Sequence, residues 1–169
     1  PYHDRVTPSH GQSITASGKP MAEWKRKQGE RRGDAWSMPS LRGGARPVRH
    51  VVYDTNHWKS FVASRLLTPL GQRSALTVWG DEADRRKHRM LADHLAAETR
   101  FRVEGRGRTI SEWRNERRAD NHWWDCLGGC HVAASMLGCR LPEAIKGRSS
   151  RSQSRRSLRA ALDARRRSA

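Results

Sequence analysis

Basic side chains outnumber acidic ones two to one, and this excess limits how much of the chain can be packed core. The 169 residues hold 34 Lys and Arg against 17 Asp and Glu, a formal net charge of +17, and only 35% are hydrophobic. Such a composition cannot supply a core throughout, so part of the chain is expected to be tail or solvated loop. No apolar run approaches the roughly 20 residues that a membrane-spanning helix needs, which excludes that class of protein.

The same charge predicts the kind of partner. Lys and Arg that contact phosphates release condensed counterions, and the planar guanidinium of Arg suits phosphate oxygens, so the charge favours nucleic acid. The alternative is that the charge serves solubility alone. Under the first interpretation, the candidate contacts lie mainly in basic loops: Lys25, Arg26, Lys27, Arg31, Arg32, Lys59, Arg106 and Arg108.

Hydrophobic periodicity predicts one domain of strands and helices over residues 1–142. Within it, residues 1–50 are rich in Gly and Pro and predict a long, mostly irregular basic loop region. The Ser/Arg-rich residues 143–169 predict a disordered tail. The pattern between these regions first predicts a strand at 48–54 and a helix whose buried stripe is Trp58, Phe61, Val62 and Leu66. It then predicts a strand at 76–79 and a helix at about 82–100. A turn at 104–108, a short strand at 109–110 and a helix from about 121 follow.

Three carboxylates within these elements are candidates for chemistry. Asp54 ends the apolar strand, where it can ligate a metal or cap the next helix. Asp125 lies on an apolar face of the last helix, where a buried carboxylate needs either a metal or a basic partner. Glu98 also falls on an apolar helix face and is interpreted as one half of a structural ion pair.

The three cysteines, Cys126, Cys130 and Cys139, are odd in number and close in sequence, which favours reduced thiols. His122, Cys126 and Cys130 recur every four residues on one helix face, as zinc ligands could. Structural zinc usually takes four ligands, however. Burial of the thiols as small apolar groups is therefore the preferred interpretation.

The segment Asn121-His122-Trp123-Trp124-Asp125-Cys126, followed by small residues to Gly138, resembles the C-terminal nuclease motif of the large terminase subunits of tailed phages. The lambda-like group is the most similar. That group has Asn-Glu-x-x-Asp-Cys before an Ala-rich helix, so His122 stands where Glu is usual. Three shorter segments agree in order: 7–11 with the loop after a central strand, 51–54 and Lys59 with a strand–Asp–Lys helix start, and 92–98 with a helix ending in Leu-x-x-Glu.

This resemblance, over roughly residues 5–140, implies an α/β fold, the C-terminal part of an RNase H-like mixed sheet flanked by helices. It implies hydrolysis of phosphodiester bonds in concatemeric double-stranded DNA with Mg²⁺ or Mn²⁺. Asp125 would match the last acidic metal ligand, with Asp54 as the second candidate for a catalytic and metal-binding role. The first acidic ligand and the translocating ATPase domain are expected upstream of Pro1. A packaging enzyme of this kind acts in the host cytoplasm, docks transiently on the procapsid, and works with a small terminase subunit and a portal.

Two hypotheses from different classes follow. The first is a divalent-metal-dependent endonuclease of viral DNA packaging. The second is a non-catalytic basic module that binds nucleic acid and needs no metal. A zinc protein that uses His122, Cys126 and Cys130 is a third and weaker interpretation.

Overall fold

A computed structural model describes residues 7–39 and 49–139 of the chain. Its main sheet has four short strands: β1 (Ser9–Gln12), β2 (Arg31–Gly33), β3 (Trp36–Met38) and β4 (Val51–Asp54). The strand order is β1-β4-β3-β2. Strand β4 pairs parallel to β1 and antiparallel to β3, and β3 pairs antiparallel to β2, so the sheet is mixed.

Three α-helices and a second, two-stranded sheet complete the described fold. The helices are α1 (Thr55–Leu66), α2 (Arg89–Leu95) and α3 (His122–Met136), and shorter 3₁₀ segments span Met21–Glu23 and Glu82–His88. Strands β5 (Thr99–Gly105) and β6 (Arg108–Arg114) pair antiparallel along their whole length and form a ribbon. None of the described helices is long and apolar enough to cross a membrane.

The chain passes from β4 into α1 without a loop. Val51 and Tyr53 are buried on the same face of β4, as the two-residue period of a strand requires. Asp54 then accepts hydrogen bonds from the backbone amides of Asn56 and His57, which caps the helix. This capping fixes the direction in which α1 leaves the sheet.

Helix α1 joins two clusters of buried side chains. One cluster lies between the sheet and the helices and contains Trp36, Met38, Val51, Tyr53, Trp58 and Val132. The other lies between α1 and α3, next to Trp113 of the ribbon, and contains Val62, Ala63 and Trp124. Phe61 packs against both clusters. Each large apolar side chain buried in this way contributes about 1.5–3 kcal/mol to stability, so α1 and α3 are held firmly against each other.

The ribbon is fixed against the segment that follows β1. The buried Glu112 carboxylate accepts the backbone amide of Ala16 at 2.9 Å. The Arg108 guanidinium donates to the carbonyl oxygen of Thr15 at 2.8 Å. A Cβ at Gly105 would lie 2.9 Å from the carbonyl carbon of Ala16, so only glycine permits this approach.

The prediction of a mostly irregular N-terminal region missed three short strands in its described part. Residues 9–12, 31–33 and 36–38 are strands of the main sheet, and residues 7–11, expected to be a loop, include most of β1. Each strand has only three or four residues, and Trp36–Met38 is buried at every position. These strands are therefore too short to show an alternation of apolar and polar side chains, and backbone pairing with β4 or β3 decides the structure.

Two further predicted elements were also wrong. Residues 76–79 form no strand, and Trp79 is 70% exposed. The long helix expected at 82–100 is a 3₁₀ segment followed by the short α2, which ends at Leu95. Thr99 already begins β5, so Glu98 lies beyond the helix rather than on one of its faces.

Other predictions were confirmed. Strand β4, helix α1, the turn at 104–108 and helix α3 lie where the pattern placed them, although β6 extends to Arg114. Burial of the cysteine thiols was wrong, since Cys126, Cys130 and Cys139 are exposed. Helix α3 instead buries Trp124, Gly128 and Val132, which lie two positions from Cys126 and Cys130 and therefore on the opposite side of the helix. The predicted boundary at 142/143 and the predicted tail lie outside the described residues.

Candidate active site

One ammonium group joins two carboxylates where α1, α3 and the start of the ribbon come together. Lys59 Nζ lies 2.5 Å from Glu98 Oε1 and 2.7 Å from Asp125 Oδ1. Because both oxygens contact the same nitrogen, the two carboxylates are held close together. These three residues are called the carboxylate–lysine cluster below.

Each member of the cluster comes from a different element. Lys59 is on α1, five residues past the cap, and Asp125 is in the first turn of α3. Glu98 lies between α2 and β5. Asn121, the N-cap residue of α3, donates its side-chain amide to Glu98 Oε1 at 2.5 Å. The packing of α1 against α3 therefore assembles a site that no single segment contains.

Burial differs sharply within the cluster. The side chains of Lys59 and Glu98 are only 9% and 4% exposed, whereas that of Asp125 is 45% exposed. The expectation of a buried Asp125 was therefore wrong, although its basic partner was anticipated. Glu98 Oε2 is buried and has no hydrogen-bond partner in the described part of the chain. The cluster thus combines an unpartnered interior oxygen with a carboxylate that solvent can reach.

The carboxylate–lysine cluster also affects the pKa of a tyrosine on the neighbouring strand, β4. The pKa of Tyr53 on β4 is raised, mainly because the phenol is buried, with further contributions from Asp125 and Cys126. Two carboxylates against one ammonium leave net negative charge here, in a protein that is otherwise strongly basic. A local negative charge of this kind attracts cations.

Asp54 has a different environment. Its Oδ1 accepts the backbone amides of Asn56 at 3.0 Å, His57 at 3.4 Å and Ile14 at 3.4 Å. Burial raises its pKa, and these backbone hydrogen bonds partly oppose that shift. Among the described residues, Asp54 and Asp125 share no hydrogen-bond or ion-pair partner.

Asp54 instead lines a cleft of about 510 Å³ that also includes Asp34, His57 and Arg108. His57 Nε2 lies 3.4 Å from Asp34 Oδ2. Residues two apart on a helix point about 200° from each other, so His57 and Lys59 lie on opposite sides of α1. The cleft and the carboxylate–lysine cluster are therefore separate features.

The comparisons with known proteins identify the family. The family model described as terminase large subunit gpA, endonuclease domain, matches residues 3–146. The match includes every residue of the cluster and of the cleft. The chain belongs to this terminase endonuclease family. Neither the curated proteins nor the solved structures gave a match.

The donor chemistry of the cluster fits the divalent metals associated with such a terminase endonuclease. Carboxylate oxygens are the ligands that Mg²⁺ and Mn²⁺ prefer. Glu98 and Asp125 bring two carboxylates together at the Lys59 ammonium. Within residues 7–39 and 49–139, no three His, Cys, Asp or Glu side chains form a group that could hold a metal. The described terminase residues thus offer part of a ligand set, and they do not bring His122, Cys126 and Cys130 together as a zinc site.

The structure sorts the predicted DNA contacts of the terminase domain into two groups. Lys59, Arg32 and Arg108 are used internally, since Lys59 holds the cluster, Arg32 bonds Glu30, and Arg108 bonds backbone carbonyls. The others are exposed: Lys25, Arg26, Lys27, Arg31 and Arg106.

Sequence reasoning missed Glu98 and Asn121 as parts of the candidate site in this terminase domain. Glu98 was interpreted as a structural ion pair, and the pair with Lys59 is present, but the same lysine also binds Asp125. Asn121 lay within the motif that suggested the family. Its position four residues before Asp125, at the start of a helix, was the available signal.

Proposed function

We propose that this chain is a divalent-metal-dependent endonuclease domain that hydrolyses phosphodiester bonds of concatemeric double-stranded DNA during viral DNA packaging. Membership of the terminase endonuclease family over residues 3–146 is the observation that carries the proposal. The carboxylate–lysine cluster supports it, because it brings two carboxylates together and leaves one of them open to solvent.

Bound Mg²⁺ or Mn²⁺ would supply Lewis-acid stabilisation of the attacking and leaving oxygens. Asp125 is the proposed ligand that receives the metal, since its carboxylate is half exposed. Glu98 is the proposed inner partner, with its Oε1 bonded to Lys59 and to Asn121. Lys59 keeps the two carboxylates together before the substrate arrives. Asp54 remains a proposed second ligand beside its role as a helix cap.

The wider setting is also a proposal. The domain would form the C-terminal part of an RNase H-like fold, which the parallel pairing of β1 with β4 and the packing of α1 on α3 support. Its partners would be double-stranded DNA, a small terminase subunit and the portal of the procapsid. It would act in the host cytoplasm while docked transiently on the procapsid.

Replacement of Asp125 by Asn in the complete large subunit tests this function. We expect Mn²⁺-dependent plasmid cleavage to fall by more than about 100-fold, beyond what loss of an outer-shell partner costs. Asp93→Asn, which changes an exposed acid on α2, is the matched control and should cleave normally. Normal cleavage by Asp125→Asn would contradict the assignment.

A second pair of variants separates the two roles of Asp54. Asn caps helices about as well as Asp, whereas Ala at a cap costs about 0.5–2 kcal/mol. If Asp54 is also a ligand, Asp54→Asn keeps its unfolding free energy but loses Mn²⁺-dependent cleavage. If Asp54 is only a cap, Asp54→Asn cleaves normally and only Asp54→Ala is destabilised. Urea unfolding and plasmid cleavage, measured on the same preparations, distinguish the two outcomes.

A non-catalytic nucleic-acid-binding module is the second candidate. Four exposed basic side chains favour it because they make no hydrogen bond or ion pair with described residues: Lys25, Arg26, Lys27 and Arg31. Contacts of this kind need no metal and weaken steeply with salt. Salt-dependent DNA binding in EDTA, with no cleavage when Mn²⁺ is restored to the complete subunit, would favour this candidate.

A further inference from the structure

Three arginines of the ribbon have exposed guanidinium groups that lack a polar partner among the described residues. Arg100 and Arg102 on β5 and Arg106 in the turn are exposed, and none of their guanidinium groups forms a hydrogen bond or ion pair with a described residue. Their neighbours Arg108 and Arg114 differ, since Arg108 bonds backbone carbonyls and Arg114 pairs with Glu112. The three free guanidinium groups are therefore available to a partner.

The strand register places Arg100 and Arg102 on one face of the ribbon. Arg100 lies opposite Trp113, and Arg102 lies opposite Ser111. Residues directly opposite each other in an antiparallel pair share a face. Trp113 packs on Trp124 of α3 with ring centroids 5.2 Å apart. The arginines thus lie on the side of the ribbon that faces the helix carrying Asp125.

The ribbon also begins at the carboxylate–lysine cluster. Glu98 directly precedes β5, and a strand rises about 3.4 Å per residue, so Arg102 lies about 14 Å and Arg106 at most about 27 Å along the ribbon from Glu98. At about 3.4 Å per base pair, that length matches roughly eight base pairs of duplex. The bonds at Ala16 hold the ribbon in this direction.

We propose that Arg100, Arg102 and Arg106 form a track that binds the backbone of double-stranded DNA and leads it to the carboxylate–lysine cluster. This inference rests on the proposed endonuclease function and names the surface that receives the substrate. Duplex DNA fits the track better than an acidic peptide, because the three guanidinium groups extend over a length that matches roughly eight base pairs, although the exposed Glu104 lies between Arg102 and Arg106. Phosphate contacts carry no sequence information, which suits cleavage of many sequences.

The test measures DNA binding by the complete large subunit in EDTA, so that no cleavage interferes. The variant changes Arg100, Arg102 and Arg106 to Gln, and the probe is a 30-base-pair duplex followed by fluorescence polarisation. We expect the slope of log K against log salt to fall by about 0.9 for each phosphate that the variant no longer neutralises. The same three positions changed to Lys keep the charges and should retain most of the slope.

A matched control changes three exposed arginines elsewhere, Arg73, Arg86 and Arg89, to Gln. A ribbon variant that melts like the wild type yet binds DNA with an unchanged slope would overturn the proposal, as would an equal decrease in the control. Such a result leaves the endonuclease function intact, provided that the wild type cleaves with Mn²⁺. Absence of cleavage by the wild type refutes the proposed function whatever the ribbon variants do.

Discussion

Two glutamates of this molecule are buried to almost the same extent but differ in how their oxygens are satisfied. The side chain of Glu30 is 6% exposed and that of Glu98 is 4% exposed, and each pairs with one basic residue. Glu30 Oε1 accepts from Arg32 and Ser37, and its Oε2 accepts from the Lys27 amide at 2.8 Å. Glu98 Oε2 has no hydrogen-bond partner in the described part of the chain.

This difference separates a fully bonded pair from the pair that the proposed function uses. A buried polar group left unsatisfied costs about 1–3 kcal/mol, so folded proteins rarely retain one without a use. Glu30 ties β2 to β3 and to the loop before them, and its bonds are complete. Glu98 shares its lysine with the half-exposed Asp125. The incomplete bonding lies where the proposed cation and substrate arrive.

Replacing the basic residue of each pair is expected to have the largest effect on the free energy of unfolding. Lys59→Met leaves Glu98 buried beside a second carboxylate, so we expect a loss of about 3–5 kcal/mol in the free energy of unfolding. Arg32→Met should cost less, because Glu30 keeps the Ser37 hydroxyl and the Lys27 amide. Urea unfolding of both variants, followed by tryptophan fluorescence, makes the comparison.

A double variant distinguishes loss of the charge pairing from a simple packing defect. Lys59→Met combined with Glu98→Gln removes the unpaired charge and should recover part of the loss. If the double variant is no more stable than Lys59→Met, or if Arg32→Met is the more damaging change, the contrast between the two glutamates is wrong.

The sequence predicted those parts of the fold that local chemistry determines. Asp54 was expected either to bind a metal or to cap a helix, and the cap follows from residues two and three positions away. Helix α3 and the turn at 104–108 are likewise encoded by nearby residues. The residues of the candidate site were only partly predictable. Asp125 was identified through a family motif, whereas the convergence of Lys59 and Glu98 depends on how α1 packs against α3.

The elements that the sequence misplaced also depend on contacts between segments distant in the chain. Strands β1 and β2 carry the polar sequences Ser-His-Gly-Gln and Arg-Arg-Gly, which have no apolar alternation to detect. They are strands because β4 and β3 offer them backbone partners. The helix expected across Glu98 failed because an apolar period continued past Leu95, whereas the backbone turned to pair β5 with β6.

A smaller and pH-dependent effect is expected at Glu30. The hydrogen bond from Arg32, together with those from Ser37 and Lys27, lowers the pKa of Glu30 from 4.5 to about 2 against the opposing effect of burial. A carboxyl whose pKa is lowered by folding stabilises the protein above the unfolded pKa, and that contribution disappears as the pH falls toward the folded value.

We therefore expect Glu30→Gln to cost about 1.5–3 kcal/mol at pH 7, the value of hydrogen bonds to a charged group. The difference from wild type should shrink between pH 4.5 and pH 2. Urea midpoints measured across that range test the expectation, and a Glu30→Gln cost that stays constant with pH would show that the carboxylate charge contributes nothing to the pair.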